Sequence, residues 1–187
     1  MNENKNNLWN AAGKTGALLG GISIVYFFVS QVLTQLKASS VTGGLLISVL
    51  SLVLWAAKFG GIIVLFRLLM KSYKDSLDAP SRSELAKYGR LSVLLSALLY
   101  SAFLLLYFAY INPEYTDQLK TLIAQTPIPT GTEDAEAAIE KVLASFPQMM
   151  FLSNLIYCII FGLILNLFVS KSLTSNPFEE NKTENDD

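Results

Sequence analysis

The sequence contains no histidine. The side chain that most often moves protons near neutral pH, and most often ligates metals, is therefore missing. There is one cysteine, Cys158, so no intrachain disulfide can form and no cysteine cluster has metal-ligand spacing. Aspartate and glutamate are absent from every long apolar run, which argues against the carboxylate relays of membrane pumps. A phosphate-cradling glycine loop and a nucleophile elbow are also lacking. Together these absences argue against an independent enzyme, with no catalytic or metal-ligating residue and no cofactor expected. No feature points to nucleic acid as a partner.

What is present in excess is apolar length. Of 187 residues, 52% are hydrophobic, and the mean hydropathy is +0.42, above the balance of a soluble domain. The excess is concentrated in four runs, Leu18 to Leu36, Leu45 to Phe66, Leu91 to Ile111 and Met149 to Val169. Each is about 20 residues long, which is what a hydrocarbon layer of roughly 30 Å requires at about 1.5 Å per residue. The second run carries one charge, Lys58, and the other three carry none. A soluble amphipathic helix keeps a polar stripe instead. The expected fold class is all-α: a polytopic membrane protein with four transmembrane helices and a short two-helix loop between the third and fourth.

Expected boundaries are a segment 1–14, a transmembrane domain 15–171 and a disordered acidic tail 172–187, with spans at about 15–36, 45–67, 90–111 and 149–170. The spans leave a connection at 68–89 and a loop at 112–148. The opening segment is too polar for too long before its apolar run to be a signal peptide. Lys5, Lys14, Arg67, Lys71, Lys74, Arg82, Lys87, Arg90, Lys171 and Lys182 fall on one side, against Lys37, Lys120 and Lys141 on the other. Cytoplasmic loops retain such cations, so both termini are expected in the cytoplasm. In a bacterium this is an inner-membrane protein whose 112–148 loop, with acids such as Glu114, Asp117 and Glu133, is periplasmic.

The connections carry helical signals of their own. Arg67, Lys71 and Lys74 recur at helical spacing, so the second helix is expected to continue past the membrane, with Asp75 and Asp78 placed to pair with Lys71 and Lys74. After a break at Pro80, Ser81 stands three residues before Glu84, the spacing of a capping box. The 112–148 loop divides at "TPIPTGT" into two helical stretches. Tyr115, Leu119, Leu122 and Ile123 form the apolar face of the first, and Ala135, Ala138, Ile139, Val142 and Phe146 that of the second.

Within the spans, Gly16 and Gly20 have the spacing that permits close helix approach, either inside the chain or in self-association or docking. Asn154 and Asn166 are expected to face inward and bond between helices. "FGGIIVLF" at 59–66 and "FGLILNLF" at 161–168 agree at five of eight positions, although so restricted an alphabet makes coincidence the better reading than duplication.

Lys58 lies nine residues before Arg67, about 13 Å along a helix, too far for its stem to recover fully by snorkelling. A lysine at mid-span costs about 2.5–3.5 kcal/mol on insertion scales. Its compensation has four candidates: a backbone carbonyl or an amide such as Asn154 or Asn166, a hydrated cavity, a carboxylate on another protein, or a lipid phosphate. Gly60 and Gly61 remove bulk beside the ammonium, and Arg67 and Lys71 widen a basic strip toward the cytoplasm. Lys58, Gly60, Gly61, Arg67 and Lys71 therefore form the candidate site for a partner or an anionic lipid. Gly16, Gly20, Asn154 and Asn166 are the candidate packing residues.

The glycine-rich "GKTGALLGG", the "FGG" of the second span, the aromatic exit "YFAYINPEY", the loop after it and "FGLILNLFVSKS" in the fourth span carry a resemblance. The whole chain resembles the bacterial family known as domain of unknown function 4199, small four-helix inner-membrane proteins of the Bacteroidetes. The family has no established activity, so the resemblance transfers no catalytic residue. It does imply a partner, since the family's genes often lie beside a glycosyltransferase of the polyprenyl-phosphate sugar type. The function expected is a non-catalytic membrane subunit that docks to, stabilises or positions another membrane protein. The alternative is a small lipid or solute carrier with Lys58 in an intramembrane cavity. Membrane lipids, a second integral membrane protein or a second copy of the chain are the expected partners.

Overall fold

A backbone in hydrocarbon has no water to bond, so apolar runs of this length satisfy their amides within helices. The computed structural model describes residues 2–35, 41–77, 81–125 and 133–174. Its helices are α1 (Asn2–Gln35), α2 (Val41–Asp75), α3 (Arg82–Leu106), α4 (Glu114–Gln125), α5 (Glu133–Ala144) and α6 (Phe146–Thr174), with a π-helical turn at Tyr107–Ile111 extending α3. Four are long and apolar enough to cross a membrane, over Asn7–Leu33, Gly43–Asp75, Arg82–Ile111 and Phe146–Thr174. No strand occurs among the described residues. Pro80, "TPIPTGT" and the tail from Ser175 lie outside the described residues.

The long helices do not share the core equally. α3 is the most enclosed and packs on both α1 and α6, whereas α2 is the least enclosed. Small residues set the close contacts. A Cβ added at Gly16 would lie 2.7 Å from Leu95 Cβ, and one at Gly20 would lie 2.9 Å from Leu99 Cδ2, so α1 approaches α3 along these two glycines. On another face of α3, Val93 occupies the space a side chain at Gly162 would need, and Asn166 the space one at Gly89 would need. Van der Waals contact at this range is what holds helices together where the surrounding lipid is as apolar as their own surfaces.

Buried polar groups tie the same helices. Asn166 Nδ2 donates to Ala86 O at 3.0 Å, and Asn154 Nδ2 donates to Ser101 Oγ at 2.8 Å, both joining α6 to α3. Thr15 of α1 and Tyr88 of α3 share a hydroxyl–hydroxyl bond, and Tyr73 of α2 stacks on Tyr88 at 3.9 Å between centroids. Lys74 Nζ donates to Leu173 O at 2.6 Å, so this cation satisfies a carbonyl in the last turn of α6. Phe66 and Met70 of α2 are fully buried in the same layer, with Leu85 and Tyr88. At the start of α3 the Ser81–Glu84 capping box is formed in both directions.

The opposite end of the bundle is aromatic. Phe27, Tyr107 and Phe108 form its buried centre, and Tyr115 of α4 and Phe146 of α6 pack on Phe108. Ahead of the expected first span the chain from Asn2 is already part of α1, and Ala12 is buried there. One apolar face read from spacing differs from this arrangement. In α5 the enclosed residue is Leu143, 3% exposed, whereas Val142 is 51% exposed. Adjacent positions on a helix differ by about 100°, and docking onto the end of the bundle selects between them.

Candidate functional site

The helix around Lys58 has little of this chain packed against it. From Gly43 to Leu65 no residue of α2 is buried, and from Phe146 to Phe161 none of α6 is. Across that gap Phe59 meets Phe161 edge-to-face at 5.5 Å. Behind the aromatic pair lies a cavity of about 110 Å³ between the four long helices. Lys58 lines it from α2, Ser23 from α1, Ser96 and Tyr100 from α3, and Asn154 and Cys158 from α6.

Lys58 Nζ sits 4.5 Å from the ring centroid of Tyr26 and 5.3 Å from that of Tyr100. An ammonium over the face of a tyrosine gains about 0.5–2 kcal/mol per ring, more where water is excluded. Two rings therefore offset much of the roughly 2.5–3.5 kcal/mol that a mid-span lysine costs. Neither ring supplies a negative charge or a lone pair directed at the ammonium. Among the described residues no hydrogen bond or ion pair reaches Nζ.

The two asparagines do not fill that role. Asn154 borders the cavity, but its Nδ2 is committed to Ser101, and its Oδ1 accepts from Cys158 Sγ at 3.8 Å. Asn166 is 1% exposed and serves the α3–α6 contact, its Oδ1 lying against Gly89 without a hydrogen-bond partner. Gly60 and Gly61 are exposed, with nothing within 4 Å of where a side chain would be. Arg67 and Lys71 are exposed on the helix that buries Phe66 and Met70. They do not line the Lys58 cavity. Gly16 and Gly20 are spent on the α1–α3 contact. The candidate residues thus separate into an inner cation, an open glycine pair, an outer basic pair and buried packing positions. Among the described residues no group of His, Cys, Asp and Glu could hold a metal ion.

A family model described as Protein of unknown function (DUF4199) matches residues 14–171. The chain belongs to the DUF4199 family. No curated protein and no solved structure matches it. In this DUF4199 protein the matched region holds the second and third long apolar segments whole, most of the first and fourth, and every residue lining the Lys58 cavity. It is a membrane protein of an uncharacterised family.

Reasoning from the sequence missed Tyr26 and Tyr100. A tyrosine inside each of two neighbouring spans was the available signal, because its ring face can stabilise a cation that lacks a carboxylate. Periodicity could not add the rest, since which tyrosine faces α2 depends on how each DUF4199 helix is rotated in the bundle.

Proposed function

We propose that this DUF4199 protein is a non-catalytic subunit that docks to another integral membrane protein through the open face of α2 and positions or stabilises it. The observation that carries the reading is the contrast along α2. Only 6% of its most apolar window is buried by the chain, against 44% for α3. Gly60 and Gly61 lie in mid-span on that helix with open space beside them. A glycine in a helix interior is less favourable than alanine by about 1 kcal/mol. Gly16, Gly20, Gly89 and Gly162 offset that cost with a close neighbour in the chain; on the docking reading, a helix of the partner supplies the neighbour for Gly60 and Gly61.

The family resemblance implies a polyprenyl-phosphate glycosyltransferase as that partner. The cation asymmetry supports a bacterial inner membrane placement with both termini, Arg67 and Lys71 on the cytoplasmic side. Extraction in native lipid followed by mass spectrometry is expected to return the chain with a second membrane protein. Gly60→Leu/Gly61→Leu is expected to release that protein while the chain stays folded. Recovery of the unsubstituted chain as a lone monomer under gentle extraction refutes the docking reading.

A carrier of lipid or solute is the second reading, favoured by the cavity beside Lys58. It requires Lys58→Ala to abolish transport while assembly persists, and unchanged transport removes Lys58 from such a mechanism.

A further inference from the structure

We infer that the cavity beside Lys58 binds the headgroup of a membrane amphiphile, recognised through a single negatively charged oxyanion with an apolar tail. The site is independent of the docking face, since Lys58 turns into the bundle while Gly60 and Gly61 face open space. Charge comes first. Of the side chains lining the cavity Lys58 is the one cation, and none is acidic. The titratable groups facing it are Tyr26 from α1, Tyr100 from α3, and Tyr157 and Cys158 from α6. One positive charge in an apolar surrounding is balanced by one negative charge, which a carboxylate or a phosphodiester supplies.

Donor geometry agrees with charge. The ammonium has N–H donors and no acceptor among the described residues, and the hydroxyl-bearing side chains Ser96 and Tyr100 line the same space. An oxyanion accepts from all of these groups, whereas a neutral or cationic headgroup leaves the ammonium without a strong acceptor. A volume of about 110 Å³ exceeds what one water occupies by several-fold and accommodates a small headgroup. Most of the remaining wall is apolar, including Leu19, Ile62, Val93 and Leu165.

Access explains why the ligand carries a tail. Tyr157 lines the cavity and is itself 55% exposed on the outer face of α6, so the cavity reaches the lipid-facing surface. From Gly43 to Leu65 α2 has no buried residue and from Phe146 to Phe161 α6 has none, and the Phe59–Phe161 contact bridges them. An amphiphile entering from the bilayer plane leaves its tail beside α2 and α6 and brings its headgroup to Lys58. A free fatty carboxylate and the phosphodiester of an anionic phospholipid share this chemistry.

The test uses the full chain in non-ionic dodecyl maltoside micelles, which contain no oxyanion. Oleate and palmitoyl-oleoyl phosphatidylglycerol are the two probes, with methyl oleate as the uncharged control, and native mass spectrometry reads retention. The expected result is one retained oleate or phosphatidylglycerol per chain, with affinity about tenfold or more weaker in Lys58→Met and largely kept in Lys58→Arg. The stronger probe identifies the source of the oxyanion. A second readout needs no substitution, because the chain's single cysteine lines the cavity. Saturating the unsubstituted protein with the bound probe is expected to slow N-ethylmaleimide modification of Cys158 several-fold, and methyl oleate is expected not to. Equal retention of methyl oleate overturns the inference, as does retention indifferent to Lys58→Met. Protection of Cys158 that appears only with a co-purified protein overturns it in favour of a partner carboxylate.

Discussion

Replacing Gly89 by alanine tests the α3–α6 contact at its tightest point. The added Cβ falls on Asn166 Oδ1, with Asn166 Cγ only 2.7 Å away. Asn166 is 1% exposed, so its amide has no free space into which to turn. The substitution therefore displaces the side chain and breaks its 3.0 Å bond to Ala86 O. An interhelical hydrogen bond in a membrane contributes about 0.6 kcal/mol on average and up to about 1.7. Overpacking adds about 1–3 kcal/mol, and exchanging glycine for alanine in a helix returns about 1. The net expectation is a destabilisation of about 1–3 kcal/mol, read as the shift in a reversible unfolding titration in mixed micelles.

The double-mutant cycle sharpens this expectation. Asn166→Ala alone loses the same bond and leaves space against Gly89. Gly89→Ala with Asn166→Ala places two methyl groups where one amide stood, so the pair is expected to be less destabilised than the sum of the singles, by about 1 kcal/mol or more. A Gly89→Ala protein as stable as the parent refutes the close contact. Strict additivity of the two substitutions refutes it equally.

Tyr100→Phe keeps the ring face above Lys58 and is expected to change stability little, whereas Tyr100→Leu removes it and costs about 1 kcal/mol in the same titration; equal effects contradict the cation–π contact. Gly16→Val, aimed at the Leu95 contact, is expected to destabilise by about 1–3 kcal/mol, while Gly13→Val, which has open space, is tolerated; the reverse order contradicts the α1–α3 packing. Lys74→Met frees the Leu173 carbonyl, so hydrogen exchange should accelerate in the last turn of α6 and remain unchanged near Asn154. Ser81→Ala removes the cap of α3 and is expected to cost about 1 kcal/mol, with faster exchange confined to the first turn of that helix.

Much of the architecture is legible in the chain because it depends on local quantities. Run length and missing charge give four spanning helices, since each backbone must satisfy itself without water. Ser81 and Glu84 announce the start of α3, because a capping box acts over three residues. The candidate site was less legible. Lys58 is conspicuous by composition alone, but its neighbours Tyr26 and Tyr100 come from helices 32 and 42 positions away. Asn154 and Asn166 look alike in sequence, yet one borders the cavity and the other is sealed against Gly89. The repeated "FGG" and "FGL" diverge in the same way. Gly60 meets nothing, and Gly162, at the matching position, meets Val93.

The sequence by itself determined that this is a helical membrane protein with an isolated cation in one span and no acid in any span to match it. Those facts follow from counting apolar residues and charges against the thickness and polarity of a bilayer. Only the tertiary structure decided that α3 is the packed centre and α2 the open edge. It also decided that the lysine rests between two tyrosine faces at the rim of a cavity. Rotation of each helix about its own axis sets which residues meet, and in uniformly apolar spans no periodic pattern encodes that rotation. It is selected instead by where small residues and a few amides and hydroxyls fit across the bundle.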